Sequence, residues 1–220
     1  MVRASFKTEL LLASLLLFCC PSKLLPQDSA SAALNTSGSI VIDDHSTPYL
    51  IRHLPVSSFP DLPVTIQEQL DLRGCLIPQT YEAHRPENIV HASLERPGSS
   101  DWAVLCSAQG TVSLLVFFGD GSSRPFTLAS ALETERLQAH DPSGVLGFNW
   151  AIDPASPQDV HDAQLGMRHP SPRLDHDALA DTLVDRHTIY HFYLKSAWIV
   201  LEMQDCPAIR GLPRNRIVKE

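Results

Sequence analysis

The segment Asp101–Phe118, DWAVLCSAQGTVSLLVFF, contains two apolar stretches on either side of a turn. In the first stretch, Trp102–Ser107, neighbouring side chains point to opposite faces because the side-chain period of a strand is two. Gln109-Gly110 supplies the turn. The second stretch, Val112–Phe118, is the most apolar part of the chain after residue 32 and is typical of a central strand. We therefore expect two consecutive strands at the centre of a sheet.

Patterns on both sides of this segment predict further strands and two helices. Asp61 can cap a helix over 62–73, in which Leu62, Ile66 and Leu70 share one face. The remaining predicted elements are strands over 88–95, 125–129 and 146–152, a late hairpin over 187–194 and 197–203, a short helix over 157–165 and, as an alternative, a helix over 128–137. This combination predicts an α+β domain in which a curved, mainly antiparallel β-sheet is partly covered by one or two short helices.

The N-terminus has the character of a secretory signal. Arg3 and Lys7 precede the apolar run Leu10–Cys20, which is shorter than the roughly 20 apolar residues of a membrane-spanning helix. We therefore predict a signal peptide over 1–32, ending at Ala30-Ser31-Ala32, and an extracytoplasmic protein that is periplasmic or secreted. Two alternatives are a lipid anchor on Cys19 or Cys20 and an uncleaved N-terminal anchor.

The rest of the chain divides into three predicted segments. Residues 33–58 are polar and contain Pro48 and Pro55, which predicts a loose leader with at most a short strand at Ser39–Ile42. Residues 59–205 suit a single α+β domain, since a chain of this length can bury a proper core. Residues 206–220 are polar and contain prolines, which predicts a flexible tail.

The charge of the chain argues against nucleic acid as a partner. Removing residues 1–32 takes away three of the 17 basic and two of the 25 acidic residues, which leaves 14 and 23 and a net charge of −9. No basic cluster remains that could neutralise phosphates, so nucleic-acid binding is not expected. Membrane contact is expected only through the signal or a lipid anchor.

Three cysteines follow the predicted signal: Cys75, Cys106 and Cys206. Thiols that lie close together tend to pair in an oxidising compartment, and an odd number leaves one over. We predict a Cys75–Cys106 disulfide, because both residues adjoin predicted secondary structure, so the bond would fasten the first helix to the sheet. The alternatives are a Cys106–Cys206 bond and three free thiols.

An acidic, histidine-containing segment is the candidate metal site. Asp175 and Asp177 precede a strand on which His187 and His191, four residues apart, share one face. Carboxylate and imidazole are ligands of zinc and other divalent first-row metals. The alternative is a solvated strand edge beside acidic loop residues, and no H-E-x-x-H signature supports the metal site.

Aromatic residues form a second candidate site. The predicted binding aromatics are Trp150, Tyr190, Tyr193 and Trp198. An exposed aromatic face could bind a glycan or a protein, whereas residues of this type more commonly pack a core.

A calcium loop at Gly119–Ser123 is disfavoured relative to a turn, because Arg124 and Pro125 stand where an acidic ligand is needed.

Three segments resemble a group of uncharacterised secreted bacterial proteins. They are RGCLIPQ (73–79), ENIVHASLERPGSSDWAVLC (87–106) and LDHDALADTLVDRHTIYHFY (174–193), within a resemblance that covers roughly 58–203. The resemblance implies a fold and a compartment but no reaction. His91–Val104 is also similar to a single FG-GAP-type repeat. No D-x-D-x-D-G calcium loop precedes Asp101, so neither a calcium site nor a propeller is carried over.

These observations predict an exported domain with a non-enzymatic binding or structural role. Its partner would be a protein or a small ligand, and no cofactor is expected. The alternative is a metal-dependent enzyme, with a divalent metal such as zinc held by the Asp/His cluster at 175–191.

Overall fold

A computed structural model describes residues 34–140, 142–165, 167 and 170–202, together with the backbone of 215–218. Most of the described residues lie in strands. In chain order the elements are β1 (Thr36–Ile42), β2 (His45–Pro55), α1 (Val64–Leu72), β3 (Leu76–Gln79), β4 (Ile89–Ala92), β5 (Asp101–Ala108), β6 (Thr111–Phe117), β7 (Phe126–Leu132), β8 (Leu137–Ala139), β9 (Leu146–Phe148), β10 (Trp150–Ala155), α2 (Pro157–Ala163), β11 (Ala178–Leu183), β12 (His187–Leu194), β13 (Ala197–Glu202) and β14 (Asn215–Val218).

The strands form two sheets. The first has the order β7-β6-β5-β3-β2-β9-β8, with β1 paired to β2 and β4 paired to β5. It is antiparallel except for the parallel pair β2–β9. The second is an antiparallel meander in the order β10-β11-β12-β13-β14. The predicted α+β class with mainly antiparallel strands and short helices is confirmed, and the structure adds that the strands divide into two sheets.

The two sheets share one hydrophobic core. On β5, Ala103 and Leu105 point into this core, where they join Trp150 and Leu179 of the second sheet. The alternate β5 residues, including Val104, belong to a different cluster on the opposite face of the first sheet. Strand β5 is therefore buried on both faces, which explains its nearly continuous apolar sequence.

Each outer face carries a helix. Ile66 and Leu70 of α1 are fully buried in the cluster on the outer face of the first sheet, as the spacing of four predicts. On the second sheet, α2 buries Val160, and the Ser156 hydroxyl caps its first turn. The layers are therefore helix, sheet, sheet and helix. Within the described ranges, no helix combines the length and apolar character that crossing a bilayer requires.

The predicted disulfide is confirmed. Cys75 follows α1 and Cys106 lies on β5, and their Cα atoms are 5.1 Å apart. The bond fastens the end of α1 to the central strand. Because the two cysteines are 31 positions apart in the sequence, the chain-entropy model assigns the crosslink a stabilisation of about 3.7 kcal/mol.

The loose leader predicted for 33–58 is wrong. Residues 36–55 form the hairpin β1–β2, and β2 pairs with β1, β3 and β9. Ile51 and His53 on β2 are buried. The polar sequence did not predict this strand because some of its buried side chains are polar. The buried imidazole of His53 contacts an acidic partner 80 residues away in the sequence.

Two further predictions are corrected. The alternative helix over 128–137 is instead the end of β7 followed by a 3-10 turn at Glu133–Arg136, because β6 pairs with the chain as far as Leu132. The acidic segment after Asp177 contains the strand β11, which was not predicted from the sequence. In the predicted tail, 215–218 form β14, and the other residues of 206–220 lie outside the described residues, as does the predicted signal over 1–32.

Candidate functional site

The two acidic residues predicted as metal ligands lie in the loop before β11 and form hydrogen bonds there. Asp175 is exposed, and its Oδ1 lies 2.8 Å from Nδ1 of His176. That hydrogen bond lowers the pKa of the Asp175 carboxyl. Asp177 Oδ2 accepts a hydrogen bond from the backbone N–H of Ser93 at 3.0 Å. Both carboxylates therefore hold the local chain in place.

The two predicted histidine ligands lie in different environments. His187 is half-buried at the start of β12, whereas His191 is buried between the sheets with Nε2 3.0 Å from Asp181 Oδ2. The indole of Trp150 donates to the other oxygen of Asp181. In the part of the chain that the structure describes, no three His, Cys, Asp or Glu side chains converge as metal ligands. The metal-dependent alternative stays a prediction.

A second buried polar group was not predicted from the sequence. Glu133 Oε1 lies 2.7 Å from Nε2 of His53 and accepts a hydrogen bond from the Ser107 hydroxyl. All three residues are buried. Burial by itself raises the pKa of the Glu133 carboxyl, but the hydrogen bonds from His53 and Ser107 outweigh it, and the pKa is lowered. The carboxylate stands between the imidazole and the hydroxyl, so the imidazole does not activate Ser107 as a nucleophile.

The four predicted aromatics also separate. Trp150 is fully buried in the core between the sheets, and Tyr190 packs on the outer face of the second sheet with the cluster that contains α2. Tyr193 and Trp198 come together with Phe118 and Phe126 at one margin of the two sheets. We refer to these last four residues as the aromatic cluster.

The aromatic cluster joins the two sheets. The ring centroid of Phe118 lies 5.0 Å from those of both Phe126 and Tyr193, and the centroids of Tyr193 and Trp198 are 5.4 Å apart. Such tilted and edge-on arrangements are favourable for aromatic rings. Two members come from the region of β6 and β7, and two from the hairpin β12–β13, so both sheets hold the cluster in place.

A cleft of about 730 Å³ opens beside the aromatic cluster. Its walls are the first residues of β7, the turn between β12 and β13, and the end of α1. We call it the edge cleft, because β7 is the terminal strand of its sheet. Phe126, Tyr193 and Trp198 line it, and Arg73 and Arg124 supply its cationic groups.

The charged side chains that line the edge cleft are both cationic, although the protein as a whole is acidic. Arg73 and Arg124 are both exposed. Neither guanidinium forms an ion pair or hydrogen bond with a side chain or backbone group in the described ranges. The whole chain has a net charge of −8. The cleft therefore combines apolar rings with two cations whose hydrogen-bond donors are not used within the described structure.

Two smaller clefts are also lined by described residues, and one of them adjoins the edge cleft. One, of about 580 Å³, is lined by the stacked rings of His91 and Trp102, whose centroids are 4.2 Å apart. The other, of about 320 Å³, contains Asp175 and His176 and shares Tyr193 with the edge cleft. No Lys or Arg lines the first of these clefts. The second is lined by Arg96 and Lys195, but also by the acidic residues Glu95 and Asp175.

Comparisons of the chain with protein family models, curated proteins and solved structures find no match.

Proposed function

We propose that this protein is an exported, non-enzymatic binding domain and that the edge cleft is its ligand site. The observation that carries this proposal is the position of Tyr193 and Trp198, which join Phe126 in the wall of a cleft of about 730 Å³. Small-molecule sites are commonly clefts of about 300–1,000 Å³ lined by aromatic side chains and a few polar groups. The edge cleft has this size and composition.

The cysteine chemistry and the N-terminal sequence support the proposed compartment. The Cys75–Cys106 disulfide is compatible with an extracytoplasmic location, since such bonds persist mainly in oxidising compartments. The apolar run Leu10–Cys20 supplies a candidate signal. We propose a periplasmic or secreted protein, with lipid attachment at Cys19 or Cys20 as the alternative route to the same compartment.

The wall of the cleft suits a ligand that has a flat apolar group. The exposed parts of the Phe126 and Tyr193 rings offer apolar surface, and the buried indole of Trp198 packs against both rings. Contacts among these rings pre-organise the wall, which reduces the entropy lost when a ligand binds. A ligand with a planar ring can replace water on this surface.

A neutral fluorescent probe tests the apolar wall. N-phenyl-1-naphthylamine has two flat ring systems and no charge, and its emission rises in apolar surroundings. We expect saturable binding of one molecule per chain. Tyr193→Leu should weaken binding about fivefold, because the loss of a ring contact worth about 1 kcal/mol changes the affinity by that factor.

Tyr190→Leu is the matched control. Tyr190 lies on the same strand as Tyr193 but packs on the opposite face of the sheet. We expect this variant to bind the probe as the original protein does. Absence of saturable binding, or equal losses in the two variants, would contradict a binding role for the edge cleft.

A further inference from the structure

We propose that the natural ligand of the edge cleft is an anion: a carboxylate, phosphate or sulfate group attached to a flat apolar ring. Arg73 and Arg124 would bind the anionic group while the aromatic wall holds the ring. This inference rests on the proposed binding function and adds the chemical class of the ligand.

The fold fixes the backbone that carries Arg73. This residue is the C-terminal cap of α1, and Cys75, two residues later, is crosslinked to β5. On the preceding turns, Ile66 and Leu70 are fully buried against the first sheet. The backbone of Arg73 therefore has little freedom, although its side chain is exposed.

The same helix holds the turn that leads to Arg124. The Thr65 hydroxyl and the Gln69 amide, both on α1, donate hydrogen bonds to the backbone carbonyls of Asp120 and Gly121. The turn and the helix are thus fastened together directly. Both arginines therefore extend from segments that are fastened to each other, and both line the edge cleft.

The charge of the cleft favours an anion over a neutral ligand. Among the described residues that line the edge cleft, none is Asp or Glu. Each guanidinium presents a planar set of five N–H donors that matches a carboxylate or phosphate in bidentate geometry. Because Arg73 and Arg124 have no acidic partner in the described structure, a bound anion would not have to displace one.

A pair of probes that share one skeleton separates the anion inference from the binding function. 8-Anilinonaphthalene-1-sulfonate carries the rings of N-phenyl-1-naphthylamine plus a sulfonate. At low ionic strength we expect the sulfonate to bind about fivefold to tenfold more tightly than the neutral probe, as two exposed charge-assisted contacts allow. The preference should shrink as salt is added, because exposed charges are screened.

Substitution of the arginines identifies the groups responsible. Arg73→Gln and Arg124→Gln should each reduce the preference for the sulfonate over the neutral probe about threefold. The double variant should abolish the preference. Arg186→Gln is the matched control, because Arg186 is exposed in the turn before β12 and does not line the edge cleft.

Competition distinguishes the kinds of anion. Benzoate, phenyl phosphate and phenyl sulfate should displace the bound sulfonate probe more effectively than benzyl alcohol does, and their order identifies the preferred anionic group. Equal displacement by benzyl alcohol would overturn the anion inference. So would sulfonate binding that is unchanged in the double variant. If the neutral probe still binds through Tyr193, the proposed function survives either result; if neither probe binds, both proposals fail.

Discussion

At the scale of single residues, Asp101 shows how this protein accommodates a buried carboxylate. The carboxylate of Asp101 is fully buried and accepts backbone hydrogen bonds from Leu94, Glu95 and Gly119. These bonds hold the loop before β5 and the turn after β6 to the same strand. A buried charge is tolerated when hydrogen bonds replace its lost hydration. Asp101 is therefore a structural residue.

Glu133 makes the stability of the fold depend on pH. Its pKa is lowered from an ordinary value of 4.5, so the folded state favours the ionised form. The resulting stabilisation is fully present above that ordinary value and is lost as the pH falls through the lower pKa of the folded state. We expect Glu133→Gln to reduce the decline in the free energy of unfolding between pH 6 and pH 3, measured by urea denaturation.

Glu68→Gln is the control for this experiment. Glu68 is exposed on α1, and its side chain has no hydrogen-bond partner in the described part of the chain. It should keep the pH dependence of the original protein. An acid decline of the same size in the Glu133 variant would contradict the assignment.

At the scale of elements, the position of α1 against the first sheet depends on the turn after β6. Gly121 has a φ of +75°, and a Cβ at this position would overlap the side chain of Ile66. The helix can therefore approach the turn only because residue 121 lacks a side chain. This close approach also allows Gln69 to bond the Gly121 carbonyl.

Two alanine substitutions separate overlap with the helix from backbone strain. Gly119 has a φ of +61°, but a Cβ there would meet no atom within 4 Å. Gly119→Ala should cost about 1–2 kcal/mol for the left-handed backbone alone. Gly121→Ala should cost about 1–3 kcal/mol more, because Ile66 must move. Free energies of unfolding from urea titrations test this difference. Equal destabilisation by the two substitutions would show that the position of α1 does not depend on the close contact between residue 121 and Ile66.

At the scale of the whole molecule, the two sheets depend on one core. The cluster between them contains Leu105 and Leu114 from the first sheet together with Trp150 and Leu179 from the second. Asn88 adds polar links, since its amide donates to the carbonyls of Pro78 and Trp150. Neither sheet can separate without exposing this shared surface to water.

The shared core predicts one cooperative unfolding transition. Hydrogen exchange should report the same opening free energy for the slowest amides of β5 and of β11. Leu105→Ala, which removes buried atoms from the first sheet, should lower both by about 2–5 kcal/mol. Loss of protection confined to β5 and its neighbours would show that the sheets unfold as separate units.

Local patterns predicted the elements whose burial is apolar. The spacing of Ile66 and Leu70 indicated α1, and the alternation from Trp102 to Cys106 indicated β5. These signals are reliable because apolar side chains at a fixed period leave little choice about which face turns inward. The disulfide prediction used the same elements, because Cys75 follows α1 and Cys106 lies on β5.

Elements with polar burial escaped prediction. His53 on β2 and Asp181 on β11 are buried with polar partners from other elements of the chain, Glu133 for His53 and Trp150 and His191 for Asp181. No local sequence pattern predicts such a partner. The metal site stays a prediction, although no three potential ligands converge among the described residues. Spacing placed His187 and His191 on one face but could not show that His191 is buried beside Asp181.

The sequence by itself determined the class of the fold, its central strands, the first helix and the Cys75–Cys106 pair, because apolar periodicity and cysteine chemistry are local properties. The tertiary structure alone decided that the strands divide into two sheets, and that Tyr193 and Trp198 meet Phe126 beside two arginines. A cleft forms where segments distant in the chain approach one another, and that distance is set by the packing of the whole core.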